Sequence, residues 1–412
     1  MKRFRNIFGT LLLAVFGFLT ASAQTTEATT ETAADSAKSL DQVEISLLTC
    51  SPGTQIWSIF GHTAIRVYDP VHQQDLAVNY GMFSFAKSNF ILRFVFGLTD
   101  YEMGIEPMDM FLYGYSRNGR GITQQRLRLT NAEKLAILQA IDENYQPANR
   151  VYRYNYFYDN CTTRARDILE SHIINKVDYH ADPAVTTSYR DMVHAAVEDH
   201  PWYRFGYDLL LGIGSDLKTD YRAQQFLPDS LMASFGRATL RTNQGNISLV
   251  DSTFTLLEPN AANVPEESAV EKFFGYLTPS LLFLIILISV ALLGFLIHKT
   301  WLFDAIVLPI VGLAGFVLVA MIFSEHPTVK VNFQLLLLNP LALIFAYPAI
   351  RQGIKGKIHW FWKYYIVCIV LFFIASFFQD AAEGMEILAP ALLFRCIAYF
   401  PKNWFHWGPW AS

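Results

Sequence analysis

Tyr156-Phe157-Tyr158-Asp159-Asn160-Cys161-Thr162-Thr163-Arg164 is the stretch on which the reading of this chain turns. The aromatic run over 152–158 reads as a strand, and a helix is expected from 161 to about 172. Asp159 or Asn160 can cap that helix, which puts Cys161 in its first turn. A thiol there meets unpaired N–H groups and the positive end of the helix dipole, which favour the thiolate. Arg164 and Arg166 are expected to add positive potential. A cysteine so placed is built to be a nucleophile.

Working outward, the base to match it is His62, in Ile59-Phe60-Gly61-His62-Thr63-Ala64-Ile65-Arg66-Val67. β-Branched and aromatic residues predict strands over 43–49, 63–68 and 75–80, the last two joined by a loop around 70–74. Asn79 can orient the His62 imidazole if the hairpin register brings them together. Thr130-Asn131-Ala132-Glu133 is a capping box that opens a helix to about 145, and a further helix is expected over 188–198. The mixture is α+β. The histidine precedes the cysteine, the reverse of papain, and that order suits a circularly permuted papain-like fold. One alternative stays open: Cys50 lies in the same block, and in an oxidising compartment it could pair with Cys161 as a disulfide.

Other chemistries find no motif. The chain has no G-x-S-x-G elbow, no H-E-x-x-H and no Walker loop. Gly212-Ile213-Gly214 lacks the third glycine of a dinucleotide loop. His194 and His200 are too poorly spaced to share a helix face as metal ligands. No cofactor and no metal is therefore expected. Cys368 and Cys396 fall in apolar runs and read as small packing residues.

Over 412 residues, 52% are hydrophobic and only 17% charged, below the roughly 25% charged of soluble domains. A net charge of −4 gives no footprint for nucleic acid. The apolar surplus sits at the two ends. Lys2, Arg3 and Arg5, an apolar stretch over 7–19 and Ala21-Ser22-Ala23 form a secretory signal with cleavage before Gln24. Runs over 276–297 and 302–323 are long enough to cross a bilayer; 333–349 and 364–378 are shorter, and 387–400, with Pro390 and Arg395, is the weakest. About five membrane helices are expected, or four if the last lies in the interface.

Lys299, Arg351, Lys355, Lys357, Lys363, Arg395 and Lys402 cluster on the side the signal makes cytoplasmic. Glu325, Asp380, Glu383 and Glu386, with Lys330 the lone cation, fall on the other side. The expected order is a signal peptide over 1–23, a flexible leader over 24–40, an exported catalytic domain over 41–256, a linker over 257–274 and an all-α transmembrane domain over 275–412.

Several motifs together carry a resemblance: Leu47-Leu48-Thr49-Cys50-Ser51-Pro52-Gly53, Phe60-Gly61-His62-Thr63-Ala64, Asn79-Tyr80-Gly81, Tyr158-Asp159-Asn160-Cys161-Thr162-Thr163 and Phe226-Leu227-Pro228, then His326-Pro327 and Asn339-Pro340 in the membrane part. In this order they resemble the Lnb-type lipoprotein N-acyltransferases of Bacteroidota. The resemblance implies transfer of an acyl chain from a phospholipid to the α-amine of a lipoprotein's diacylglyceryl-cysteine. It implies a cysteine thioester intermediate and a place in the bacterial inner membrane, with the catalytic domain in the periplasm. On it Cys161 and His62 carry over as the catalytic pair, with Asn79 and Asn160 in support. His326, in the outer loop over 324–332, faces the same compartment and is a candidate to seat a head group or to serve the structure alone. The implied partners are a phospholipid donor, a diacylated lipoprotein acceptor and the bilayer. A cell-envelope peptidase or amidase with the same pair of residues, and a non-catalytic lipid-binding or partner-binding module, are the other readings.

Overall fold

The computed structural model describes residues 40–83, 89–182, 184, 186–266, 268–296, 301–326 and 328–400. The expected signal peptide and all of the leader except Leu40 lie outside the described residues.

The described chain falls into two compact units that interleave along the sequence. The first takes the described parts of 1–85, 100–185 and 220–265. It is built on a seven-stranded sheet of β1 (Glu44–Cys50), β2 (His62–Asp69), β3 (Gln74–Met82), β4 (Asp100–Pro107), β5 (Ile122–Leu127), β6 (Val151–Arg153) and β10 (Val250–Leu257), in the order β10-β5-β1-β2-β3-β4-β6. Its neighbours pair antiparallel. A three-stranded sheet of β7 (Val177–Asp178), β8 (Thr239–Thr242) and β9 (Gly245–Ser248) lies in the same unit.

Successive side chains of a strand point to opposite faces, so each central strand feeds two cores. Ile45, Leu47, Ile65, Val67, Val78 and Tyr80 bury one face against helices α2 (Asn131–Tyr145), α3 (Cys161–Ser171) and α4 (Pro228–Arg237). Leu48, Cys50, Ala64 and Ala77 bury the other with Met108 and Phe111 of α1 (Met108–Arg117). This is why β1 is buried on both faces from Ile45 to Cys50, with Ser46 and Thr49 buried among its apolar residues.

The expected strands and the capping box at Thr130 and Glu133 are present. The aromatic run over 152–158 is corrected: only Val151–Arg153 is strand. Asn155 Oδ1 accepts the N–H groups of Phe157 and Tyr158, each at 3.1 Å, and that local bonding turns the chain out of the sheet.

The second unit takes the described parts of 86–99, 186–219 and 266–412. Its core is a cluster from α6 (Trp301–Ile322), α7 (Leu341–Ile354), α8 (Trp360–Ala375) and α9 (Met385–Ala398), including Leu318, Ala346, Trp362, Ile369 and Leu392. Between Ala269–Tyr276, opened by a Ser268/Glu271 capping box, and α5 (Pro279–Leu296) the chain bends by 66°. Pro279 marks the restart, since proline suits a helix's first turn but cannot continue one.

Among the described residues, Trp301–Ile322 and Phe333–Ile354 are by length and composition apolar enough to cross, and the bent pair, if it is one span, adds a third. Trp360–Ala375 is apolar but shorter, and Met385–Ala398 has only 14 residues. Buried polar ties hold the rest of this unit. Arg190 binds Asp208 at 2.6 Å and Asp216 at 2.7 Å, and Gln334 Nε2 donates to the Asp208 carbonyl at 2.8 Å. These bonds explain why 186–219, polar in sequence, belongs with the helices.

Candidate active site

The site forms at one end of the large sheet. β2 begins after Gly61, whose φ of 79° is left-handed. A Cβ there would lie 2.7 Å from the Cys50 carbonyl oxygen, so only glycine lets the chain turn back this tightly. The turn sets His62 directly opposite Cys50 in the register. On the next strand Asn79 pairs with Ala64, on the same face as His62 and two residues along. His62 Nε2–H therefore donates to Asn79 Oδ1 at 3.0 Å. With Nε2 so engaged, Nδ1 is the ring nitrogen left for the thiol.

Cys161 arrives from the other side, as the first residue of α3. Asn160, not Asp159, is the cap: its Oδ1 accepts from Thr162 N at 2.8 Å and Thr163 N at 2.9 Å. Thr163 Oγ1 returns the favour by accepting the Asn160 N–H at 2.9 Å. Asn160 Nδ2 donates to the carbonyls of Tyr156 and Phe226, which anchors the buried cap from two sides. Thr63 and Thr162 hydroxyls meet at 3.0 Å and tie the helix start to the strand that begins at His62. The chain also passes close at Gly81, where an added Cβ would lie 3.5 Å from Cys161 Cβ.

The electrostatics follow from that geometry. Burial works against a Cys161 thiolate, yet the charge of His62, the hydrogen bond from it, the Thr63 N–H and the Thr162 hydroxyl bring the thiol down to about 7. For His62 burial pulls downward too. Attraction to the Cys161 sulfur and hydrogen bonds to Cys161 and Asn79 outweigh it, so the imidazole is raised. The two residues thus favour an ion pair and titrate together. Cys50 is the contrast: burial pushes its thiol up to about 12, with Tyr115 and Arg120 only partly offsetting. All four cysteines are free, so Cys50 and Cys161 are two thiols and not a disulfide.

Arg164 and Arg166 do not act as the sequence suggests. Arg164 is paired with Asp159 at 2.6 Å and lies over the Tyr152 ring, and Arg166 binds Asp167. Neither is among the main groups acting on the thiol.

The structure thus gathers Cys161, His62, Asn79 and Asn160. His326 is placed in the second unit, where its Nε2–H donates to the Phe94 carbonyl at 3.1 Å and burial lowers its imidazole. Glu106 is a residue that sequence reasoning misses. It lies on β4 opposite Ala77, and its Oε1 accepts from Asn79 Nδ2 at 3.0 Å. Only the register of two strand pairs, β2 with β3 and β3 with β4, brings it behind His62. No spacing motif carries that information.

Residues 29–195 match the family model described as the Lnb N-terminal periplasmic domain, and residues 269–403 match the Lnb transmembrane domain. No curated protein and no solved structure matches the chain. The two domain matches, in this order and across most of the sequence, make the chain a member of the Lnb-type family: a membrane protein with a periplasmic domain and a transmembrane domain.

Proposed function

We propose that this protein moves a fatty acyl chain from a phospholipid to the N-terminal amine of a diacylglyceryl-cysteine lipoprotein, by way of a thioester on Cys161. The observation that carries the reading is the lowered Cys161 thiol bonded to a partly buried His62 in a chain of this family. The reading includes a circularly permuted papain-like arrangement for the catalytic unit. It also includes a bacterial inner-membrane location, with several helices spanning and the unit outside.

The chemistry runs in two halves. The Cys161 sulfur attacks the ester carbonyl of the phospholipid. The C–O bond breaks, and the lysophospholipid oxygen leaves with the proton that His62 supplies. The positive end of α3 stabilises the oxyanion that forms on the way. The lipoprotein amine then attacks the thioester carbonyl, His62 takes its proton, and the C–S bond breaks to restore the thiol. One hard acyl transfer becomes two easier ones, and no cofactor enters either half.

The test uses purified full-length protein with phospholipid. Cys161 should gain the mass of one acyl chain, and hydroxylamine should remove it. A diacylated lipopeptide with a free amine should take the chain, while its N-acetylated form should not. Cutting of peptidoglycan fragments with no acyl adduct would instead identify an envelope peptidase or amidase.

A further inference from the structure

Asn79 has an amide that two hydrogen-bond partners share. His62 Nε2 lies 3.0 Å from Oδ1, and Glu106 Oε1 lies 3.0 Å from Nδ2. The two ends of an amide have nearly the same shape and opposite hydrogen-bonding character. An ionised carboxylate only accepts, so the end of Asn79 that faces Glu106 must be the NH₂. Oδ1 then faces His62, and an oxygen there requires a proton on Nε2. That leaves Nδ1 as the basic nitrogen. Turned over, the amide would point its NH₂ at His62 Nε2, put the proton on Nδ1, and remove the base from the thiol.

We propose that Glu106 is a positioning residue of the Cys161–His62 pair, holding the Asn79 amide in the one orientation that leaves His62 Nδ1 basic. The inference rests on the catalytic reading of that pair.

The surroundings support it. Burial raises the Glu106 carboxyl, and the Asn79 N–H and the His62 charge hold part of that rise back, so Glu106 and His62 act on each other. Beyond Glu106 is a cavity of about 240 Å³ lined by Met110, Phe111, Gly114, Tyr115, Asn118 and Arg120. The charged and titratable groups that face Glu106 are therefore His62 across β3, and Tyr115 and Arg120 across the cavity. Arg120 also lowers His62, so loss of the Glu106 charge would leave that opposing cation unbalanced.

The test reads alkylation of Cys161 by iodoacetamide against pH, which needs no acyl transfer, beside acyl-adduct formation from phospholipid. It uses full-length Glu106→Gln, Glu106→Ala, Asn79→Ala and the Asn79→Ala/Glu106→Ala double variant. Removing the Glu106 charge should move the alkylation midpoint upward by about half a pH unit or more. Glu106→Ala should slow acylation about tenfold, with KM for phospholipid unchanged. Glu106→Gln, which keeps the shape but can donate as well as accept, should fall between wild type and Glu106→Ala. In acylation rate above the alkylation midpoints, where the thiol is ionised in every variant, the double variant should behave as Asn79→Ala alone, because Glu106 orients His62 through Asn79; the charge part of the midpoint shift remains. An unmoved midpoint in Glu106→Gln, or losses that multiply in the double variant, overturns the proposal. A shifted midpoint with no acyl adduct even in wild type supports the positioning role and counts only against the acyl-transfer reading.

Discussion

Cys50 and Cys161 both stand beside His62, the first as its cross-strand partner and the second as its hydrogen-bond partner. Environment separates them: the Cys50 thiol is pushed up to about 12 and Cys161 is brought down to about 7. At neutral pH only Cys161 supplies thiolate. Cys161→Ser should abolish acyl transfer, because a hydroxyl is far less acidic than this thiol. Cys50→Ser should retain measurable activity. Acyl-adduct mass spectrometry of both variants decides the matter, and equal, complete loss would refute the assignment. His62→Ala should slow adduct formation roughly a hundredfold or more. In wild type the alkylation rate should rise through pH 7, where the depressed thiol ionises, and His62→Ala should push that rise toward the ordinary cysteine value. The pair itself is legible in sequence, because each residue announces itself locally: one by a helix start, the other by a glycine before a strand. Glu106 is not legible, because its role exists only across strands.

Helix α3 shows how an element positions a reactive atom. Asn160 satisfies two first-turn N–H groups and is itself fixed by two carbonyls. Asn160→Ala should cost about 1 kcal/mol or more in stability, by loss of the cap, and should lower the reactivity of Cys161 as the first turn loosens. Asn160→Asp should keep the cap but lose the two donors of the amide. Thermal unfolding and alkylation rate, measured on the same samples, check both effects. The sequence offers Asp159 and Asn160 equally as caps; the choice is made by the Asp159–Arg164 pairing, a tertiary detail of the turn. The run over 152–158 misleads for a related reason. Its aromatic residues have strand propensity, but Asn155 bonds the following N–H groups and closes a turn.

At the scale of the molecule, charge and hydropathy make the membrane part legible, because the bilayer imposes length and composition on any segment that crosses it. They do not set the number of spans: α9, with 14 residues, is short for a crossing. The proposed orientation is tested by single cysteines in a chain freed of its own. Positions within 324–332 should label from outside, and positions within 352–359 should not. The reverse pattern would refute it.

The interleaving of the two units has a consequence for how the chain is made. β3, which carries Asn79, is followed by a stretch grouped with the membrane helices, and the chain returns as β4, which carries Glu106. The stretch over 186–219 is grouped the same way. Both leave the ribosome long before the helices they belong with. During secretion they must stay soluble, or be shielded, until the last third of the chain is threaded into the bilayer. A chain cut before Glu266 would carry both stretches with nothing to fold onto, and a protease should find them there first.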